Sequence, residues 1–140
     1  MTIKEYCVKF NINYGKLLNT LKEYMREEND NALRLKMDYE AEDIQYQASG
    51  DIFFEIFPDT GTVQIRKHIT WYMGKACKPE DEIDKWELDT EGELVDFFNE
   101  FYKVVKYNWA DKAFAPYHGT RNELLDWLTK LKLIAKGNNN

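Results

Sequence analysis

Serine occurs once in these 140 residues, histidine twice, cysteine twice, proline three times and glycine seven times. Each scarcity removes a kind of chemistry. With Ser49 alone, and that in a turn-like Ser49-Gly50-Asp51, no Ser-His-Asp arrangement can be drawn. Cys7 and Cys77 lie far apart with no histidine at zinc spacing, so they read as two reduced thiols, buried or half-buried. The glycines form neither a P-loop nor a G-x-G-x-x-G turn. Asp and Glu are plentiful, but nothing points to a carboxylate–Mg²⁺ site. No metal and no cofactor is expected. No apolar run approaches a membrane span, and the first residues lack the basic-then-apolar pattern of a signal peptide, so a cytoplasmic protein is expected.

What the chain does contain is apolar and acidic. Hydrophobic residues make up 44% and aromatic residues 15%, enough for a real core in one domain over residues 1–137, with a disordered tail at 138–140. The formal charge is −6 and unevenly spread. Glu80, Asp81, Glu82, Asp84, Glu87, Asp89, Glu91, Glu93, Asp96 and Glu100 crowd one stretch against Lys85 alone. A chain of this balance does not hold phosphate backbones by bulk attraction, so a nucleic-acid role needs a local basic face.

Residues 2–10 read as a helix opened by a capping box, Thr2 with Glu5 three places on. Asn11 and Asn13 suit its stop and the restart of a second helix over 14–28, with Leu17, Leu18, Leu21, Tyr24 and Met25 at helical spacing. Leu33, Leu35, Met37 and Tyr39 alternate with Arg34, Lys36 and Asp38, the period of a half-buried strand. A short strand or a continuation follows at 44–47, then a turn at Ser49-Gly50-Asp51 and a strand over 52–57. Pro58-Asp59-Thr60-Gly61 has the composition of a hairpin turn, leading into a strand over 62–73. Residues 79–88 read as a short acidic helix. Thr90-x-x-Glu93 is a capping box before Leu94, Phe97, Phe98, Phe101, Val104 and Val105. Residues 108–119 read as a loop, and Thr120-x-x-Glu123 opens a last helix carrying Leu124, Trp127, Leu128, Leu131 and Ile134. The order predicts an α+β domain: two N-terminal helices, a three- to four-stranded antiparallel meander, and two or three C-terminal helices packed on one sheet face.

Three constellations could carry function. The first is the acidic stretch, where Glu80, Asp81, Glu82, Asp84, Glu87 and Asp89 surround Trp86. Closely spaced carboxylates imitate a phosphate backbone and suit a basic groove on another protein, with Trp86 as an anchor. In size, charge and rough element order the chain resembles small acidic inhibitor proteins of phages and mobile elements, the anti-CRISPR and anti-restriction type. That resemblance implies a non-catalytic protein in the cytoplasm of a host cell, inhibiting a basic, nucleic-acid-handling partner. The plainer reading is the solvated side of helices.

The second is the N-terminal helix pair, 1–30. Cys7 sits at a small position and Asn11 at a turn position, with Tyr6, Phe10, Ile12 and Leu17 at apolar ones. This resembles a helix-turn-helix, which implies a DNA-binding regulator presenting Tyr14, Lys16, Asn19 and Lys22 to the major groove. The plainer reading is an αα-hairpin packed on the sheet.

The third is the pair of His-x-Thr segments. "KHITW" (67–71) and "FAPYHGT" (114–120) resemble the two motifs of the 2H phosphoesterases. That resemblance implies His68 and His118 as acid and base, with Thr70 and Thr120 holding phosphate. The plainer reading is a strand-surface histidine and a loop histidine.

Overall fold

A computed structural model describes residues 1–42, 47–74, 76–110 and 119–137. The chain runs α1 (Ile3–Lys9), α2 (Tyr14–Leu21), β1 (Arg26–Glu27), β2 (Leu33–Glu42), β3 (Gln47–Phe57), β4 (Thr62–Met73), β5 (Ala76–Glu87), α3 (Glu93–Tyr107) and α4 (Arg121–Ala135). The five strands form one antiparallel meander in chain order. The α+β class is as expected. Among the described residues there are five strands rather than three or four, with two helices before the sheet and two after it. No helix among the described residues is long and apolar enough to cross a membrane.

Period two decides which side of the sheet is core. Leu33, Leu35 and Met37 of β2, Ile52, Phe54 and Ile56 of β3, and Val63 and Ile65 of β4 are all buried and, by the observed register, share one face. The helices cover that face. Phe101 of α3 lays its ring flat on Phe54 with centroids 3.5 Å apart, while Phe97 and Trp127 meet Phe101 edge-on. From α4, Trp127 donates its indole N–H to the Thr20 carbonyl at the end of α2, 2.6 Å away. All four helices and three strands thus supply one contiguous core.

Local signals placed the helix starts. Thr2 and Glu5 form the reciprocal capping box. Asn11 adopts a left-handed φ of 57°, and Asn13 caps α2 through the Lys16 N–H. Thr120 accepts from the Glu123 N–H at the head of α4. Thr90 behaves differently from expectation. α3 starts only after Gly92, and Thr90 donates its hydroxyl to Glu93 instead of accepting a helix N–H.

Tertiary pairing overrode three other expectations. α2 ends at Leu21 rather than running to 28, because Arg26 and Glu27 pair with Arg34 and Leu33. Ser49-Gly50-Asp51 is no turn but the middle of β3, opposite Thr70, Ile69 and His68. Gly50 is glycine because any Cβ there would run into the His68 carbonyl of β4. Residues 79–88 form no helix. Residues 79–87 lie in β5, held to β4 from Thr62↔Glu87 to Met73↔Ala76. Cys77 is exposed rather than buried or half-buried, and Cys7 is buried, both as free thiols. The expected strand at 44–47 falls mostly outside the described residues, as do the centre of the expected 108–119 loop and the tail at 138–140.

The two edges of the sheet differ. On β2, beyond its short pairing with β1, the outward groups at Asp38 and Glu40 are taken up. Asn108, 1% exposed, accepts from the Glu40 N–H (3.0 Å) and donates to the Asp38 carbonyl (2.6 Å), and the Trp109 N–H donates to the Glu40 carbonyl (3.1 Å). The side-chain amide of Asn108 thus stands in for a peptide group of a missing strand. Arg121 locks this plug by donating to the carbonyls of Lys106 and Asn108. The outer edge of β5 has no partner among the described residues.

Two outcomes follow from burial. Asn108→Ala strands the Asp38 carbonyl and the Glu40 N–H, and is expected to cost about 1–3 kcal/mol in urea unfolding, with Asn108→Asp failing to restore it. Burial pushes the Cys7 thiol up to about 11. A native-state thiol titration is therefore expected to find one fast-reacting cysteine, Cys77, with the second released only on unfolding.

Candidate functional site

The acidic residues of the 80–89 stretch come together along one line, the open edge of β5. Register divides them between two faces. Glu80, Glu82 and Asp84 lie opposite Ile69, Lys67 and Ile65, on the helix-bearing face. Asp81 and Glu87 lie opposite His68 and Thr62, on the uncovered face. Almost the whole strand is solvent-exposed. Only Glu80 and Trp86 are half-buried. Trp86 packs edge-on against Phe97, 5.7 Å between centroids, so it fastens β5 to α3 from the inside. Asp89 follows the strand, and its carbonyl lies 3.5 Å from Lys9 Nζ.

Several of these carboxylates already have neighbours. Glu80 meets Lys78 at 3.2 Å, Glu87 meets Lys85 at 3.4 Å, and Asp81 meets the His68 Nδ1. Hydrogen bonding from the Thr62 hydroxyl, with Lys85 beside it, holds the Glu87 carboxyl below the usual range. Glu82, Asp84 and Asp89 have no ion pair among the described residues. Lys67, across the ladder from Glu82, instead sits over the Tyr39 ring at 5.9 Å. Burial, with the Glu82 charge nearby, raises the Tyr39 phenol.

The other two constellations stand as follows. On α2 Lys16 and Asn19 are exposed, as is Lys22 at its C-cap, while Tyr14 is half-buried against the core. Lys22 is 3.6 Å from Glu27, and the nearby Glu23 pairs with Lys130 at 3.2 Å, so acidic groups flank the exposed face. His68 and Thr70 stand on the uncovered face of β4, as parity predicts, with His68 against Asp81. Thr120 is committed to the α4 cap. His118 lies outside the described residues.

Sequence reasoning missed a polar centre on the uncovered face. Glu55 is 2% exposed yet points away from the core. Arg34 donates to it at 2.6 Å, Arg66 at 3.0 Å and Gln64 at 2.9 Å. Asp30 grips the far side of Arg34 at 2.7 Å. Arg66 lies over the Phe53 ring, 4.2 Å from its centroid, and Arg34 over Phe57 at 5.5 Å. The arginines thereby cover the aromatic faces that a nucleic-acid stacking platform would need bare. The available signal was one carboxylate in the run Phe53-Phe54-Glu55-Ile56-Phe57. Among the described residues, no group of three or more His, Cys, Asp or Glu could hold a metal ion.

No family model matches the chain, and no curated protein and no solved structure matches it.

Burial pushes the Glu55 carboxyl up, but the hydrogen bonds from Arg66, Arg34 and Gln64 outweigh it and leave the group below the ordinary carboxylate value. A depressed native pKa stabilises the fold fully above the unfolded value of about 4.3, and that stability drains as pH falls through the native value. Urea unfolding followed from pH 7 downward is expected to weaken below about pH 4 in the wild type. Glu55→Gln is expected to lose about 2–3 kcal/mol at neutral pH and to show a flatter acid limb.

Proposed function

We propose that the chain is a non-catalytic binding protein, of phage or mobile-element type, that lays the acidic edge of β5 on a basic surface of a nucleic-acid-handling protein and inhibits it. The observation that carries this reading is the open edge itself: an exposed strand with carboxylates on both faces. Alternate residues of a strand recur about every 6.8 Å on one face. Glu80, Glu82 and Asp84 therefore form a straight, regular row of negative charge. A groove built to accept a phosphate backbone presents the matching row of Lys and Arg, and unpaired carboxylates steer the encounter. Trp86, on the same face as that row, holds the strand to α3 through Phe97. A preformed row loses little entropy on docking.

Charge reversal tests the reading. Glu80→Lys combined with Asp84→Lys leaves every core contact in place. Tagged wild-type protein, incubated with nuclease-treated lysate, is expected to retain a nucleic-acid-handling protein that duplex DNA competes away. The double variant is expected to weaken capture at least about tenfold, and added salt to weaken it in the wild type. Capture that is indifferent to the reversal and to salt sinks the reading.

A further inference from the structure

The backbone of β5 carries more information than its charges. Antiparallel pairing turns the N–H and C=O of alternate residues toward one neighbour and those of the intervening residues away from it. The Leu88 N–H donates to the Gly61 carbonyl at 2.8 Å, which fixes the parity: even-numbered residues of β5 face β4. The outward groups are then those of Cys77, Pro79, Asp81, Ile83, Lys85 and Glu87. Proline fits this assignment, because a residue facing β4 would need its N–H for the ladder. Pro79 offers no outward donor, so it ends the continuous edge on that side. Between Asp81 and Glu87 the outward N–H and C=O groups have no partner among the described residues, while the opposite edge at Asp38 and Glu40 is plugged by Asn108.

We infer that residues 81–87 accept a sixth strand: an extended, lysine- or arginine-bearing segment of the partner protein adds to β5 by backbone hydrogen bonding. The inference rests on the docking reading above and names its mode. Charge complementarity selects the occupant. Residues 76–89 hold six carboxylates and only two lysines, Lys78 and Lys85. A second copy of β5 would bring that excess against itself, whereas a basic segment relieves it. The two faces then ask for different side chains. On the helix side the added strand meets Glu82 and Asp84, which have no ion pair among the described residues. On the uncovered side it meets Ile83, which is 56% exposed. The partner segment therefore alternates basic residues with apolar ones.

The test uses the full chain and a synthetic peptide of about ten residues, the length of a long strand, with lysine alternating with valine. A second peptide has the same side chains but is N-methylated at every other residue, which keeps its charge and removes its pairing edge. Ile83→Pro deletes one outward N–H and leaves the β4 ladder untouched, as Pro79 already does in the same strand. The wild type is expected to bind the unmodified peptide. Binding is expected to fall at least about tenfold for the N-methylated peptide and for Ile83→Pro, whose circular dichroism and melting temperature stay near those of the wild type. The peptide comparison needs no protein variant, so it decides even if Ile83→Pro fails to fold. Equal binding of the two peptides, no binding by the wild type, or concentration-dependent dimers that exclude the peptide each overturn strand addition. Equal peptide binding that is lost in Glu80→Lys/Asp84→Lys leaves acidic docking standing without strand addition. Peptide binding that survives the reversal removes the acidic reading as well.

Discussion

Everything in this molecule depends on the pleat of β3. Ile52, Phe54 and Ile56 point to the helices, and Asp51, Phe53 and Glu55 point the other way. A one-residue slip would exchange the two sets, putting Glu55 under α3 and Phe54 in water. The stack of Phe101 on Phe54 fixes where α3 lies. Trp127 against Phe101 fixes α4, and the indole bond to Thr20 carries the placement on to the N-terminal helices. Glu55 secures the other face of the same strand by drawing in Arg34, Arg66 and Gln64. One alternation thus orders both the apolar layer and the polar one.

Most of that alternation is legible in the sequence. Leu33-Leu35-Met37, residues 52–57 and residues 62–73 announce their strands, and the caps at Thr2, Asn13 and Thr120 announce their helices. The failures share a cause. Gly50 looks like punctuation because the reason for it, the His68 carbonyl of the next strand, is remote in sequence. β5 looks helical because an edge strand with solvent on both faces has no alternation to show, and acidic residues have weak strand preference. Only pairing with β4 makes it a strand.

The candidate site was half visible. The residues of the acidic stretch were identified from charge alone, since a surplus of carboxylates needs no fold to be noticed. Their arrangement was not, because a helix and a strand space the same residues differently. On a helix Glu80 and Asp84 would be neighbours one turn apart. On β5 they are the ends of a line with Glu82 between them. Trp86, visible as an aromatic among acids, is half-buried against Phe97 because even-numbered residues near that end of β5 face α3. Glu55 and Asn108 escaped notice for a related reason: a single polar residue shows its partners only after register and chain reversal have brought them close.

The Asn108 plug bears on valence. A sheet with two open edges can be extended at both, strand after strand, and such growth has no natural stopping point. With β2 occupied at Asp38 and Glu40 by a side chain of the same molecule, growth from that side is interrupted before it starts. On the strand-addition proposal, a sheet interrupted at Asp38 and Glu40 is expected to gain a strand at β5 without propagating through that stretch of β2.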